Sequence, residues 1–115
     1  WYTLPTYDEI FPYGLNISPF IEKDLTNKFA LPLVVLVGEN DTDPNDSSLR
    51  KTEEAMRQGD HRYARAKYFY NIAETKAKSI NAQFNWKLET VPNFGHSARN
   101  TAPIAAKIFN SILSN

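Results

Sequence analysis

The run Leu31–Val37 (LPLVVLV) constrains the fold of this chain more than any other feature. It is short, rich in β-branched residues, apolar without alternation, and it stops at Gly38. A strand with that pattern is buried on both faces, as in a parallel sheet covered by helices. Pro32 fits its first residues, where a missing N–H is tolerated. The run is far too short to span a bilayer. A second segment, Trp86–Val91 (WKLETV), alternates, with Trp86, Leu88 and Thr90 on one side and Lys87, Glu89 and Val91 on the other. That pattern predicts a strand with one half-exposed face, nearer a sheet edge.

Helical signals fill the interval. Thr52–Gln58 reads as a short helix closed by Gly59, and Asp60 then caps a helix running to about Asn81. On that helix Ala66, Phe69, Tyr70, Ala73, Ala77 and Ile80 share one stripe at spacings of three and four. Residues 22–29 hold one or two helical turns. Asn100 or Thr101 caps a final helix, with Pro103 in its first turn and an apolar stripe from Ile104 to Leu113. The order strand, helices, strand, helix is a β-α-β-α unit, which predicts parallel strands. Two strands cannot cover both faces and edges of a run like Leu31–Val37. Its remaining neighbours are expected on residues outside this sequence. The start at Trp1 rather than Met agrees with a piece of something longer.

Residues 1–20 follow neither period. Trp1, Tyr2, Tyr7, Phe11, Tyr13 and Phe20 alternate irregularly with Pro5, Pro12 and Pro19. Such a segment packs over a core by its rings, and it can also wall or cover a pocket. Two regions are therefore expected: an aromatic irregular segment over 1–30 and a strand-helix-strand-helix unit over 31–115.

Chemistry concentrates after the two strands. Gly38-Glu39-Asn40-Asp41 follows the first, and Phe94-Gly95-His96 follows the second. In an open α/β sheet, ligands meet the loops at the carboxyl ends of the strands, and neighbouring parallel strands set those loops side by side. A carboxylate on one imidazole nitrogen fixes the tautomer, leaving the other nitrogen to take a proton. Asp41 and His96 are the candidate catalytic pair. Asp43 competes for the acid role, but it stands deeper in the loop beside Pro44, where a turn cap suits it.

These segments resemble the last two strand–loop modules of the α/β-hydrolase superfamily, in which a buried strand leads into G-x-x-D and the final strand into G-H. The resemblance covers roughly Leu31–Leu113. It implies an α/β fold, the C-terminal part of a predominantly parallel sheet with flanking helices. It also implies that Asp41 orients His96, and that His96 deprotonates a serine hydroxyl and then protonates the leaving group. The order acid-then-histidine agrees with that family. No G-x-S-x-G and no glycine-lined oxyanion loop occur here. The implied parent is a serine hydrolase of esterase type with its serine upstream; the alternative is a non-catalytic binding or scaffold protein on the same fold. The implied partners are a small-molecule ester or acyl substrate and the remainder of the domain, and no cofactor is required.

Other classes fit poorly. Lys plus Arg and Asp plus Glu both number 13, so charge favours no nucleic-acid partner. Two distant histidines without cysteine fall short of a zinc ligand set. Asp41-x-Asp43-x-Asn45 begins like an EF-hand loop, but Asp46 stands where glycine belongs and Thr52 where glutamate belongs. The triplets at Asn16, Asn40 and Asn45 match a glycosylation pattern that chance accounts for. His61, Arg62, Arg65 and Lys67 form a basic start to the long helix, read here as a wet surface.

Overall fold

The computed structural model describes residues 1–94. Five elements follow one another: α1 (Glu22–Phe29), β1 (Val34–Gly38), α2 (Glu53–Met56), α3 (Arg62–Ser79) and β2 (Lys87–Val91). The two strands pair in parallel, with Val34 opposite Lys87 and Gly38 opposite Val91. The α2–α3 crossover between them is what a parallel neighbour requires. The expected final helix from Asn100 or Thr101 lies outside the described residues.

β1 begins later than its apolar run. Pro32 and Leu33 precede it, although the Leu33 carbonyl already accepts the Lys87 N–H at 2.8 Å. Val35 and Val37 are buried against Ala66 of α3, whereas Val34 and Leu36, on the opposite face, are only half-buried. The expectation of burial on both faces is thus met on one face among the described residues. The helix packed on β1 there covers that face alone.

The stripe on α3 does what its spacing demands. Ala66 sits under β1, while Ala73 and Ala77 pack with Leu15, Leu25 and Phe29. Alanine at these positions lets the helix backbone approach closely, and the larger Tyr2, Phe69, Phe84 and Trp86 fill the margins. Phe29 is fully buried, with Phe84 and Trp86 meeting its ring edge-on at 5.7 and 5.2 Å. Burying a side chain of that size stabilises by roughly 1.5–3 kcal/mol. The carbonyls at the end of α1 are taken by the approach to β2. Asn85 N–H donates to Phe29, Asn85 Nδ2 to Ala30, and Trp86 Nε1 to Lys28, at 2.8, 2.7 and 2.9 Å. These bonds satisfy groups that a helix leaves open and fix where β2 starts.

Helix boundaries differ by one or two residues from expectation, α2 ending at Met56 rather than Gln58 and α3 at Ser79 rather than about Asn81. Thr52 caps α2 as a flanking residue, its Oγ1 accepting the Ala55 N–H at 3.3 Å. The cap of α3 is His61 rather than Asp60: its Nδ1 accepts the Ala64 N–H at 3.1 Å. The helix starts one residue later than the carboxylate would require. It ends at Ser79; Asn81, two residues on, takes a left-handed φ of 56°, and the Ala82 N–H closes on the Ala77 carbonyl at 2.9 Å.

Candidate active site

The carboxyl ends of β1 and β2 lead into loops that hydrogen-bond to each other. Glu39 N–H donates to the Val91 carbonyl and Asn40 N–H to the Phe94 carbonyl, both at 2.9 Å. These contacts extend the strand ladder beyond Gly38 and hold the residue before Asp41 against the residue two before His96. Thr90 adds a hydroxyl bond to Glu39 Oε1 at 3.3 Å.

Asp41 is buried at the head of this junction, 8% exposed. Its N–H turns back to the Gly38 carbonyl at 3.1 Å, and its own carbonyl accepts the Tyr63 N–H at 2.9 Å. The first turn of α3 therefore grips the backbone of the candidate acid. Arg62 grips its side chain, with Nη1 3.6 Å from Asp41 Oδ1. Tyr2 stands near: burial pushes its hydroxyl pKa up first, and the Asp41 charge adds to the push.

Asp43 takes the turn-cap role. It is exposed, and its Oδ1 accepts the Asn45 N–H at 2.8 Å, the short-range bond that aspartate makes in a turn. Asp46 does the same for Ser48, accepting both its N–H and its hydroxyl at 2.8 Å. Those two bonds, with Arg62 behind them, hold the Asp46 carboxyl far below the usual carboxylate range. His96 lies outside the described residues, so Asp41 is the member of the proposed pair whose surroundings are on view.

The basic start of α3 is a wet surface at Lys67 but not at Arg62 and Arg65. Arg65 is 1% exposed, donating from Nε to the Gly59 carbonyl and from Nη2 to the Arg50 carbonyl, each at 2.8 Å. Arg62 is mostly buried between Asp41, Asp46 and Ser48. Sequence reasoning missed both residues. The available signal was the placement itself. A cation in the first turn opposes the helix dipole and so calls for a compensating acid, and the loop after β1 carries three aspartates, Asp41, Asp43 and Asp46.

A cavity of about 450 Å³, lined by Pro32, Leu33, Phe84 and Trp86 among others, opens at the amino ends of the strands. It lies away from Asp41, and Lys87 is its one charged lining residue among the described residues. Among the described residues no three His, Cys, Asp or Glu side chains come together as a metal site, and no helix is long and apolar enough to cross a membrane.

Solved structures match this geometry over nearly the whole chain. Poly(aspartic acid) hydrolase-1 from Sphingomonas sp. KT-1 aligns at a TM-score of 0.89 and 40% identity, over 93% of this chain and 40% of its own. A poly(3-hydroxybutyrate) depolymerase from Bordetella parapertussis aligns at 0.88 and 35% identity, over 95% of this chain and 36% of its own. No family profile matches the chain, and no curated protein does. The fold and its relatives define a C-terminal portion of a predominantly parallel α/β sheet with flanking helices. The chain has the α/β-hydrolase fold, and it spans about two fifths of the length of these solved relatives.

Proposed function

We propose that this chain supplies the acid and the base of a serine hydrolase whose nucleophile lies elsewhere in the full-length protein. The observation that carries the reading is the junction of Asn40 with Phe94, which ties the loop bearing Asp41 to the loop leading to His96. In this reading Asp41 holds the His96 imidazole in one tautomer, and the other ring nitrogen takes the proton of a serine hydroxyl. The serine oxygen bonds to the acyl carbon, and the leaving alcohol or amine departs with the proton returned by His96. Water, deprotonated by the same imidazole, then cleaves the acyl-enzyme and frees the serine. Oxyanion donors also come from outside the chain.

The substrate is a carboxylic ester or related acyl bond. Relatives named for poly(aspartic acid) and poly(3-hydroxybutyrate) support acyl-linked chains as the class to try first. The aromatic segment supports a pocket wall with an apolar lining: Trp1 and Tyr13 pack at 4.9 Å, and Trp1 remains 45% exposed.

The test is labelling of the folded full-length protein by a serine-reactive fluorophosphonate, followed by assay on short ester and amide oligomers. Labelling that is lost in His96→Ala and Asp41→Asn supports the triad. Folded protein that takes no label defeats the hydrolase reading and leaves a binding or scaffold role on the same fold.

A further inference from the structure

The candidate acid is held from behind by a charged network that the triad does not need for its chemistry. Arg62 Nη1 lies 3.6 Å from Asp41 Oδ1 and 3.0 Å from Asp46 Oδ2, and Nη2 donates to Ser48 Oγ at 2.6 Å. Ser48 in turn donates its hydroxyl to Asp46, so the guanidinium is fixed from two directions before it meets Asp41. The side chains of Arg62 and Asp41 are 17% and 9% exposed, which weakens solvent screening of their interaction. The neighbouring Tyr63 N–H fastens the Asp41 backbone at the same time.

We propose that Arg62 is a positioning residue for Asp41: it restrains the carboxylate and shares its charge, so that the first turn of α3 sets how strongly the acid acts on the base. This rests on the triad reading above. A guanidinium at the carboxylate lowers the negative field that an imidazolium would feel, and it repels the imidazolium directly. Both effects keep the base unprotonated to lower pH. Among the described residues, Asp46 shares the Arg62 guanidinium with Asp41, and Tyr2 from the N-terminal segment feels the Asp41 charge. Burial lowers the Trp1 amino group first, and the charges of Arg65, Arg62 and Arg50 lower it further.

The experiment is the pH dependence of fluorophosphonate labelling in the full-length protein, with folding checked by circular dichroism. In Arg62→Gln the acid limb should move upward by about half a pH unit. Arg62→Lys keeps the charge and should restore the limb to its original position. Asp46→Asn removes the competing carboxylate, frees Arg62 toward Asp41, and should move the limb downward. An acid limb that stays put or falls in folded Arg62→Gln overturns the proposal. If that variant does not fold, Asp46→Asn decides, with an unmoved limb counting against it. Labelling at the original rate in Asp41→Asn is a separate result, and it removes the triad reading itself.

Discussion

Gln58 closes on the backbone of Tyr2 from both sides, its Nε2 donating to the Tyr2 carbonyl at 2.7 Å and its Oε1 accepting the Tyr2 N–H at 2.9 Å. One side-chain amide thus takes the place of a strand neighbour for a residue 56 positions away. Gln58 itself is buried, and the Tyr2 ring lies stacked on Phe69 at 4.5 Å. The aromatic segment is therefore docked onto the α2–α3 junction, beside the same helix turn that holds Asp41.

Replacing Gln58 with Leu keeps the apolar bulk and removes both bonds. The half-buried Tyr2 N–H and carbonyl then lose their partners, each at up to about 1–3 kcal/mol, the cost of a fully buried unsatisfied group. A lowered melting temperature and faster hydrogen exchange at the Tyr2 amide are the expected outcomes. An unchanged exchange rate would show that the clamp does not hold the segment.

Arg65 makes a sharper case. Its guanidinium bridges the carbonyls of Gly59 and Arg50 and touches Met56 sulfur at 3.1 Å, with Nη1 buried and without a hydrogen-bond partner among the described residues. Burial lowers its pKa from the ordinary arginine value, and the repulsion of Arg62 adds to the effect. The interaction is geometric: one planar fork reaches two carbonyls that a single ammonium cannot serve together. Arg65→Lys should therefore destabilise by about 2–3 kcal/mol despite conserving charge, as read by denaturant unfolding. A variant as stable as the original would mean that the loop over 50–59 closes without the fork.

The parts of this arrangement that sequence carries are those set by local periodicity. The existence of β1 and β2 and the alanine-rich stripe of α3 are written in local apolar patterns, and the parallel pairing follows from the helices between the strands. The alternation expected of β2 is not its burial, however: Leu88, Glu89 and Thr90 are all half-buried and Val91 is buried. Asp41 was legible because a buried strand places its next loop at a predictable rim. Arg62 and Arg65 were not, because a charged residue on a helix looks the same whether water or a carboxylate receives it. Their partners are chosen by how α3 lands on the loop, which is tertiary information. The Gln58–Tyr2 clamp is equally silent, since residues 1–20 have no period to read. His61 displaced Asp60 as a cap by a shift of one residue, below what cap signals resolve.

Tyr2 gives a test in solution. Its hydroxyl pKa is raised, by burial first and by Asp41 second. A group with a raised folded pKa contributes stability that is present below its unfolded value, near 10, and is lost as pH rises through the folded value. The full-length protein should lose stability across that alkaline window, and Tyr2→Phe should lose less. Asp41→Asn should bring Tyr2 ionisation to lower pH in the ultraviolet difference spectrum, though not to the free value, because burial remains. No movement of the tyrosinate signal would separate Tyr2 from the acid.

Gly59 joins these features at one backbone position. Its φ of 144° lies where L residues rarely go, and an added Cβ would meet Ala64 Cβ at 2.9 Å and the Arg65 nitrogen at 3.1 Å. Its carbonyl is also the acceptor for Arg65 Nε. Gly59→Ala must either strain the backbone, at about 1–3 kcal/mol, or push the first turn of α3 away from the loop. The second course also draws Arg62 and the Tyr63 N–H away from Asp41. The expected result is a lower melting temperature together with slower fluorophosphonate labelling at neutral pH. A variant that melts lower but labels at the original rate would show that α3 can shift without disturbing the acid, and the proposed coupling through Arg62 would lose its mechanical basis.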